Sequence, residues 1–250
     1  MIICKSQSEL LIMDRCNRIA RKILAELQEM IKPGTTTKEI DRYAERRARK
    51  ENALPAFKGY RGYPASICTS VNNQIVHGIP SDACSLKEGD IISLDFGILM
   101  EGFYGDAAVT YPVGSVAEKA SKLMDVTKRC LEEGIQHAKS GNRISDISHA
   151  VETLAQSNGF SVVRDFVGHG IGSSLHEEPQ VPNYGEPGRG PEITEGMVLA
   201  IEPMINAGTH EVAIEDDGWT AVTKDGDLSA HFELSVAIRN GNPWVLGEEA

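Results

Sequence analysis

The stretch 86–98 (LKEGDIISLDFGI) has a counterpart at 193–205 (ITEGMVLAIEPMI), offset by 107 residues. Both stretches contain Glu-Gly, then apolar residues, then an acid, then a closing isoleucine. The acids are Asp95 and Glu202. A pattern repeated at a fixed offset is typical of internal duplication, so the two stretches predict a sheet made of two pseudo-symmetric halves.

Helical periodicity precedes strand-like sequence in both parts of the chain. Apolar residues three and four apart predict helices over about 8–31 and over 117–139 and 144–157. Thr36 and Glu39 have the spacing of a capping box and predict the start of another helix. Two pairs of helices, each followed by strands, indicate an α+β fold. We expect one domain over 1–250, with pseudo-symmetric halves of about 1–112 and 113–250.

Composition excludes several classes of function. The 250 residues carry a formal net charge of -11 and a pI of about 5.1, which argues against broad binding to nucleic acid or anionic membranes. The basic run 42–50 (RYAERRARK) is typical of a solvated helix face. No apolar run has transmembrane length, and the N-terminus lacks the pattern of an export signal. We therefore expect a cytoplasmic protein.

Four acids occupy runs that otherwise have the composition of buried strands. They are Asp95 in IISLDFGI, Asp106 in FYGDAAVTY, Glu202 in VLAIEPMI and Glu233 in HFELSVAI. An ionised carboxylate in a dry interior is costly unless it is paired or bound to a metal. Any one acid could face solvent at a sheet edge or pair with an arginine, but Lys and Arg are scarce inside these runs. Two divalent cations would supply four positive charges.

The first two acids lie on one predicted hairpin. The segment 90–111 resembles two strands joined by a tight turn at Met100-Glu101-Gly102. A two-residue loop would place Asp95 and Asp106 directly opposite each other, with Cβ atoms roughly 5 Å apart. That separation suits carboxylates that bridge two metals. A bulged turn through Gly102 would shift the register by one residue.

Histidines occur near these acids or in glycine-rich sequence. His169 and His176 lie in 168–179 (GHGIGSSLHEEP), seven residues apart, a spacing that does not match a zincin helix. Glycines beside His169 suit a loop that presents an imidazole to a metal. His77 follows an apolar strand in IVHGIP. His231 shares a strand face with Glu233, and we assign it no ligand role. Each histidine alone could equally be a hydrogen-bonded structural residue.

Taken together, these residues resemble the type I methionine aminopeptidases of the pita-bread metallopeptidase fold. The motifs that carry the resemblance span nearly the whole chain: 59–80 (GYRGYPASICTSVNNQIVHGIP), the acidic hairpin, 168–185 (GHGIGSSLHEEPQVPNYG), 200–205 (AIEPMI), 217–220 (DGWT) and the Glu233 strand. The resemblance implies two divalent metal ions, Co²⁺, Fe²⁺, Mn²⁺ or Zn²⁺. It implies five ligands, namely Asp95, Asp106, His169, Glu202 and Glu233, with Asp106 and Glu233 bridging both ions.

The resemblance also implies the catalytic roles. A metal-activated water would be the nucleophile, and Glu202 the general acid and base. His176 would contact the scissile carbonyl, and His77 the scissile amide nitrogen or the tetrahedral intermediate. The pocket for the methionine side chain would comprise aromatic and soft side chains, namely Tyr60, Tyr63, Cys68, His77, Leu175, His176 and Trp219.

Two departures from the family pattern concern this site. Leu175 stands where bacterial relatives usually have an aromatic residue, and Leu234-Ser235 stands where a His-Thr pair is common. The first concerns the shape of the substrate pocket and the second the surroundings of the Glu233 ligand. The resemblance further implies a monovalent-cation site near Asn72, Gln74 and Ser229.

The resemblance implies removal of the initiator methionine from nascent polypeptides, preferentially when the second residue is small. Partners would be nascent peptides with an N-terminal methionine and, transiently, the ribosome, and we expect a monomer. Aminopeptidase P, prolidase and type II methionine aminopeptidases are disfavoured by chain length and by the motif at 59–80. The alternative from another class is a metal-free peptide-binding or ribosome-associated homologue.

Overall fold

The computed structural model describes residues 1–248. Four α-helices occur within that range: α1 (Gln7–Gln28), α2 (Thr37–Lys50), α3 (Glu118–His137) and α4 (Ile144–Ser157). The strands are β1 (Leu54–Pro55), β2 (Cys68–Val71), β3 (Gln74–Val76), β4 (Ile91–Met100), β5 (Phe103–Pro112), β6 (Ser161–Val162), β7 (Gly168–Gly170), β8 (Glu177–Val181), β9 (Val198–Ile201), β10 (Met204–Asn206), β11 (Val212–Ile214), β12 (Ala221–Thr223), β13 (Ser229–His231), β14 (Glu233–Arg239) and β15 (Asn242–Val245).

The four helices match the predicted segments closely. The predicted capping box of α2 is present, since Thr36 accepts a hydrogen bond from the backbone of Glu39 and the Glu39 carboxylate accepts one from the Thr36 backbone. The first helix ends at Gln28, three residues before the predicted end. Ile31 remains buried beyond it, 7% exposed, so the apolar pattern that predicted a longer helix continues into the following turn.

A nine-stranded sheet organises the fold. Its main path is β1-β4-β5-β14-β9-β7-β8, with β2 paired to β4 and β15 paired to β14, and all its pairs are antiparallel. The four acids lie on neighbouring central strands of this sheet. Asp95 is on β4, Asp106 on β5, Glu233 on β14, and Glu202 directly follows β9. The sheet therefore gathers residues that are far apart in sequence.

Each pair of helices contributes to its own apolar core. Ile23 of α1 and Ile40 of α2 belong to one cluster with Phe96 of β4. A second cluster contains α3 and α4 residues together with Leu199 of β9 and Val236 of β14. This is the α+β layout that the sequence predicts, while the division into halves near residue 112 stays a prediction. No helix among residues 1–248 has the length and apolar character needed to span a bilayer.

The predicted register of the β4-β5 hairpin is wrong. Met100 pairs with Phe103, so the two-residue loop is Glu101-Gly102, and both loop residues have positive φ (51° and 81°), as a type I′ hairpin turn requires. Asp95 therefore lies opposite Ala108, not opposite Asp106. Because the register differs by two residues, the two acids remain on one face of the sheet as diagonal neighbours.

A buried ion pair joins the N-terminal segment to the first residue of β8. Lys5 Nζ lies 2.5 Å from Glu177 Oε2, and the two side chains are 4% and 6% exposed. Removing one partner leaves the other charge buried and unpaired. We therefore expect Lys5→Met to lower the free energy of unfolding by about 3–5 kcal/mol, measured by urea denaturation. Adding Glu177→Gln should recover most of the loss. An unchanged midpoint in the single variant would contradict this role.

Candidate metal centre and active site

One cavity of about 150 Å³ brings together all twelve residues that the sequence analysis selects as ligands, catalytic groups or pocket residues. Phe57 and Arg61 line it as well. The complete lining is Phe57, Tyr60, Arg61, Tyr63, Cys68, His77, Asp95, Asp106, His169, Leu175, His176, Glu202, Trp219 and Glu233. A larger cleft, of about 590 Å³, lies against α3 and α4 and contains none of these residues.

The carboxylates crowd one another at the base of this cavity. Asp106 and Glu233 are buried, and Asp95 and Glu202 are partly exposed to the cavity. Burial raises the pKa of Asp95 to about 7, with His231 opposing the shift and Glu202 adding to it. Burial also raises the pKa of Glu202 to about 7, against the effect of His169. The pKa values of Asp106 and Glu233 are raised well above their usual range, first by burial and then by the other carboxylates.

No Lys or Arg within residues 1–248 forms an ion pair with these four acids; their nearest basic groups are imidazoles. His169 Nε2 lies 3.6 Å from Glu202 Oε1. Asp95 Oδ1 and Glu233 Oε1 are buried without a hydrogen-bond partner. Unpaired oxygens of this kind are costly in an interior, whereas divalent cations bind carboxylates and imidazoles together. The residues present therefore fit a metal centre.

The close grouping of donor atoms supports the same conclusion. Asp106, His169 and Glu233 offer ligand atoms within 4.8 Å of one another, and so do Glu202, His231 and Glu233. Glu233 belongs to both groups, as a bridging ligand would. Asp95 belongs to neither group. His231, which the sequence analysis left unassigned, belongs to the second.

The metal-free protein should lose stability as pH rises. Since the folded-state pKa values of Asp95 and Glu202 are raised to about 7, the folded state binds more protons than the unfolded state above pH ~4. Their contribution is fully present below pH ~4 and is lost as pH passes through about 7. After chelation, we expect a higher melting temperature at pH 5 than at pH 8. Equal values, or the reverse order, would contradict this expectation.

His169 has the tautomer that a metal ligand needs. Its Nδ1 lies 2.8 Å from the carbonyl oxygen of Gly170. A donor is required at that contact, so Nδ1 carries the hydrogen and the Nε2 lone pair is free. The imidazole lies on β7, which pairs with β9 through His169 and Ala200. This pairing places Nε2 beside Glu202.

His176 and Tyr60 form a pair at the exposed mouth of the cavity. Tyr60 Oη lies 2.8 Å from His176 Nδ1, and the two rings stack with centroids 5.2 Å apart. The His176 ring is also 4.2 Å from the ring of His169. Partial burial of the ring, and then the nearby imidazole of His169, lower the pKa of His176. A neutral imidazole that accepts from Tyr60 at Nδ1 has Nε2–H available as a donor.

His77 also lines the cavity and has a left-handed backbone conformation, with φ 62°. A non-glycine residue rarely adopts this region outside constrained sites. Its ring makes edge contacts with Phe166 and Trp219, at 5.3 and 6.3 Å between centroids. Burial lowers the pKa of His77 to about 4. The imidazole is therefore neutral at physiological pH and can donate or accept one hydrogen bond.

An apolar compartment adjoins the carboxylates. Phe57, Tyr63, Cys68 and Leu175 are buried in one cluster, and Trp219 packs against it. Tyr63 Oη donates into the wall, to the carbonyl oxygen of Gly78 at 2.9 Å, so the hydroxyl does not make the compartment polar. Burial raises the pKa of the Cys68 thiol well above its usual range. The compartment suits a flexible thioether side chain.

The residue pair after Glu233 has distinct positions. Leu234 packs in the apolar cluster beneath the sheet. The Ser235 hydroxyl donates to the Asp106 carbonyl oxygen at 3.0 Å and lies 3.3 Å from the Asp106 amide. Although the pair differs from His-Thr, Ser235 holds the backbone of a predicted ligand.

Three residues at the site could not be selected from the sequence. Arg61 lies within the motif 59–80 and has φ 48°, yet its charge alone gave no reason to place it at a cavity. Phe57 lies just before that motif and resembles any core aromatic. His231 shares a strand face with Glu233, which the sequence indicates, but its proximity to Glu202 depends on strand pairing that the sequence alone does not reveal.

Comparison with known proteins identifies the family. The model of metallopeptidase family M24 matches residues 12–238. This chain belongs to metallopeptidase family M24. Membership implies a divalent metal, in agreement with the clustered ligand atoms.

Similar members of the M24 family carry a more specific name. A methionine aminopeptidase of Clostridium acetobutylicum is 50% identical over 246 residues, 98% of each chain. Methionine aminopeptidase 1 of Bacillus subtilis is 52% identical over 238 residues, 95% of this chain and 96% of the relative. The crystal structure of methionine aminopeptidase from Thermotoga maritima covers 100% of both chains with a TM-score of 0.98 and 44% identity. The predicted resemblance and the pita-bread fold are confirmed.

Proposed function

We propose that this protein is a methionine aminopeptidase that hydrolyses the N-terminal methionine of new polypeptides. The observation that carries the proposal is the single cavity that joins an apolar compartment for a thioether to a cluster of four carboxylates and three imidazoles. Relatives of about 50% identity over nearly the whole chain bear that name. A metal-free binding protein is not favoured, because the complete predicted ligand set is present.

Asp95, Asp106, His169, Glu202 and Glu233 would hold two divalent ions, with Asp106 and Glu233 shared between them. Bound divalent metals supply Lewis-acid activation of a water and of the scissile carbonyl. The mainly oxygen donor set suits Mn²⁺, Fe²⁺ or Co²⁺, and Zn²⁺ also accepts it. The shared membership of Glu233 in both groups of ligand atoms supports its own bridging role, while Asp106 belongs to one group only.

Glu202 is the proposed proton carrier. Its carboxylate lines the cavity, its side chain is 13% exposed, and burial raises its pKa to about 7. That value belongs to the metal-free protein; a divalent ion bound beside the carboxylate would hold it ionised, as a base toward the attacking water requires. Glu202 would accept a proton from the attacking water and deliver it to the amine nitrogen of the leaving peptide.

The two neutral imidazoles would bind the reacting amide. With the Tyr60 hydroxyl donating to Nδ1, His176 would present Nε2–H, and we assign it to the scissile carbonyl oxygen as negative charge develops. His77 would contact the scissile nitrogen. Fixed donors directed at developing charge are an effective source of catalysis.

Substrate selection follows from the small size of the cavity. Its volume of about 150 Å³ is below the 300–1,000 Å³ typical of sites for drug-sized ligands. Leu175, Tyr60 and Trp219 would contact the methionine, with Tyr63 and Cys68 behind them. Preference for a small second residue is part of the proposal, since a larger residue would meet the walls at Tyr60 and His77.

The remaining expectations belong to the same proposal. Nascent chains carry N-terminal methionine, so we place the enzyme in the cytoplasm as a monomer in transient contact with the ribosome. We also retain a monovalent-cation site near Asn72, Gln74 and Ser229. Two of those residues are adjacent, since the Ser229 amide donates to the Asn72 carbonyl oxygen at 2.9 Å.

A pair of peptides tests the proposal. Chelator-treated protein would be assayed for free methionine released from Met-Ala-Ser and Met-Leu-Ser, with Mn²⁺, Fe²⁺, Co²⁺ or Zn²⁺ restored one at a time. We expect metal-dependent release from the alanine peptide and little from the leucine peptide. If folded, metal-bound protein released no methionine from either peptide, the proposed activity would be refuted.

A further inference from the structure

His231 is a buried imidazole that makes no side-chain hydrogen bond. It lies at the end of β13 and is 1% exposed, and neither Nδ1 nor Nε2 has a partner. A structural histidine in a core normally satisfies at least one ring nitrogen, because an unpaired polar atom in the interior is costly. Packing in an ordinary core therefore does not explain the two unpaired ring nitrogens of His231.

Nε2 of His231 faces two of the proposed metal ligands. His231 Nε2 lies 3.6 Å from Glu202 Oε2 and 3.9 Å from Glu233 Oε2. Both separations exceed the range of N–H···O hydrogen bonds, about 2.7–3.2 Å. Two donor atoms bound to one ion at about 2.1 Å lie roughly 3.0–4.2 Å apart. The spacing thus fits atoms that share a metal better than atoms that share a hydrogen.

The two oxygens of Glu202 have matching surroundings. On one side His169 Nε2 lies 3.6 Å from Oε1, and on the other His231 Nε2 lies 3.6 Å from Oε2. The first imidazole is a proposed ligand. The second has the same relation to the carboxylate, and it reaches Glu233, which belongs to both groups of ligand atoms.

The backbone of His231 is held in place. Its amide donates to the Thr110 hydroxyl at 2.9 Å, and the same hydroxyl donates to its carbonyl oxygen at 2.7 Å. β13 also pairs with β10, where Met204 lies opposite His231. A side chain on so fixed a backbone is preorganised to bind an ion without a rearrangement.

We propose that His231 is a further metal ligand, which binds through Nε2 the divalent ion that Glu202 and Glu233 hold. The centre would then contain two imidazoles, from His169 and His231. This inference rests on the proposed metal centre but not on the peptide specificity. The rival account is that His231 only supports Glu202 through a hydrogen bond after metal binding.

Proton NMR of the Co²⁺-loaded protein tests the proposal. An imidazole bound to Co²⁺ through Nε2 gives a strongly shifted Nδ1–H signal, which isotope-labelled histidine identifies. We expect two such signals in the wild type and one in His231→Gln. The variant should also bind its more weakly held Co²⁺ at least about tenfold less tightly. His149→Gln, which removes a histidine of α4 outside the site, should keep both signals and the wild-type affinity.

A single shifted imidazole signal in wild-type protein with both ions bound would overturn the proposal, and it needs no variant that folds. Unchanged Co²⁺ affinity in folded His231→Gln would overturn it as well. If the wild type bound no Co²⁺, the metal centre as a whole would fail. If two imidazoles bound metal and no peptide were cleaved, the ligand assignment would stand and only the proposed activity would fail.

Discussion

Glu202→Gln should lower kcat/KM for a Met-Ala-Ser peptide by at least about 10²–10⁴-fold, the usual contribution of a general acid or base. The substitution keeps the shape of the side chain and removes its proton-accepting charge. Because burial raises the pKa of Glu202 to about 7, its ionisation is costly to the metal-free fold. The metal-free variant should therefore melt at the same temperature as the wild type or above it.

Two measurements separate catalysis from metal loss in this variant. The rate is taken at saturating metal, with bound metal determined in the same samples. Glu132→Gln, at an exposed position of α3, is the matched control and should retain wild-type turnover. A Glu202→Gln protein with full metal content and near-normal turnover would refute the role of Glu202 as proton carrier.

His77→Asn should lower kcat by about 10²–10³-fold, the range measured for the loss of one donor to developing charge. Asparagine is the better test residue because His77 has φ 62°, a conformation that asparagine tolerates more readily than alanine. The variant loses the imidazole while the turn is kept. We expect circular dichroism and Co²⁺ binding to be unchanged, since His77 belongs to neither group of ligand atoms.

Comparison with His77→Ala separates the backbone from the side chain. Alanine should cause the same loss of kcat and a further loss of stability of about 1 kcal/mol from the left-handed conformation. If His77→Asn kept near-normal kcat, its assignment to the reacting amide would be wrong. A loss of kcat in His77→Ala but not in His77→Asn would show that catalysis depends on the backbone conformation at this turn and not on the imidazole.

The carboxylate cluster could be predicted from sequence because each acid stands out against the apolar residues beside it in the chain. An acid within an apolar strand, such as Asp95 in IISLDFGI, signals an interior charge before any fold is known. The capping box at Thr36 is equally local, and it was confirmed. Such features depend on residues within a few positions of each other.

Features that depend on register were predicted less well. The hairpin loop consists of Glu101 and Gly102, because these two consecutive residues have the positive φ that a type I′ turn requires. Because the strand register differs by two positions from the predicted one, Asp106 keeps its predicted face of the sheet but pairs with Gly97 instead of Asp95. The end of α1 was misplaced because Ile31 stays buried after the helix stops. In both cases the apolar pattern indicates which residues are buried, but burial does not define where a helix ends or where a hairpin turns.

His231 shows the same limit at the site. Its spacing from Glu233 was visible in the sequence, since residues two apart on a strand share a face. Its 3.6 Å approach to Glu202 is not visible there, because Glu202 follows β9 and reaches the site through the pairing of β9 with β14. Contacts across strands distant in sequence require the sheet order.

Titration of chelator-treated protein with Co²⁺ under anaerobic conditions tests the central claim most directly, because bound metal and the rate of methionine release are measured in each sample. The claim is that the buried carboxylates and His169 form a metal centre that drives peptide hydrolysis. We predict no release without metal, and a rate that rises with bound Co²⁺ until two ions are held per chain. Full release from metal-free protein, or saturation with Co²⁺ and no release of methionine, would contradict it.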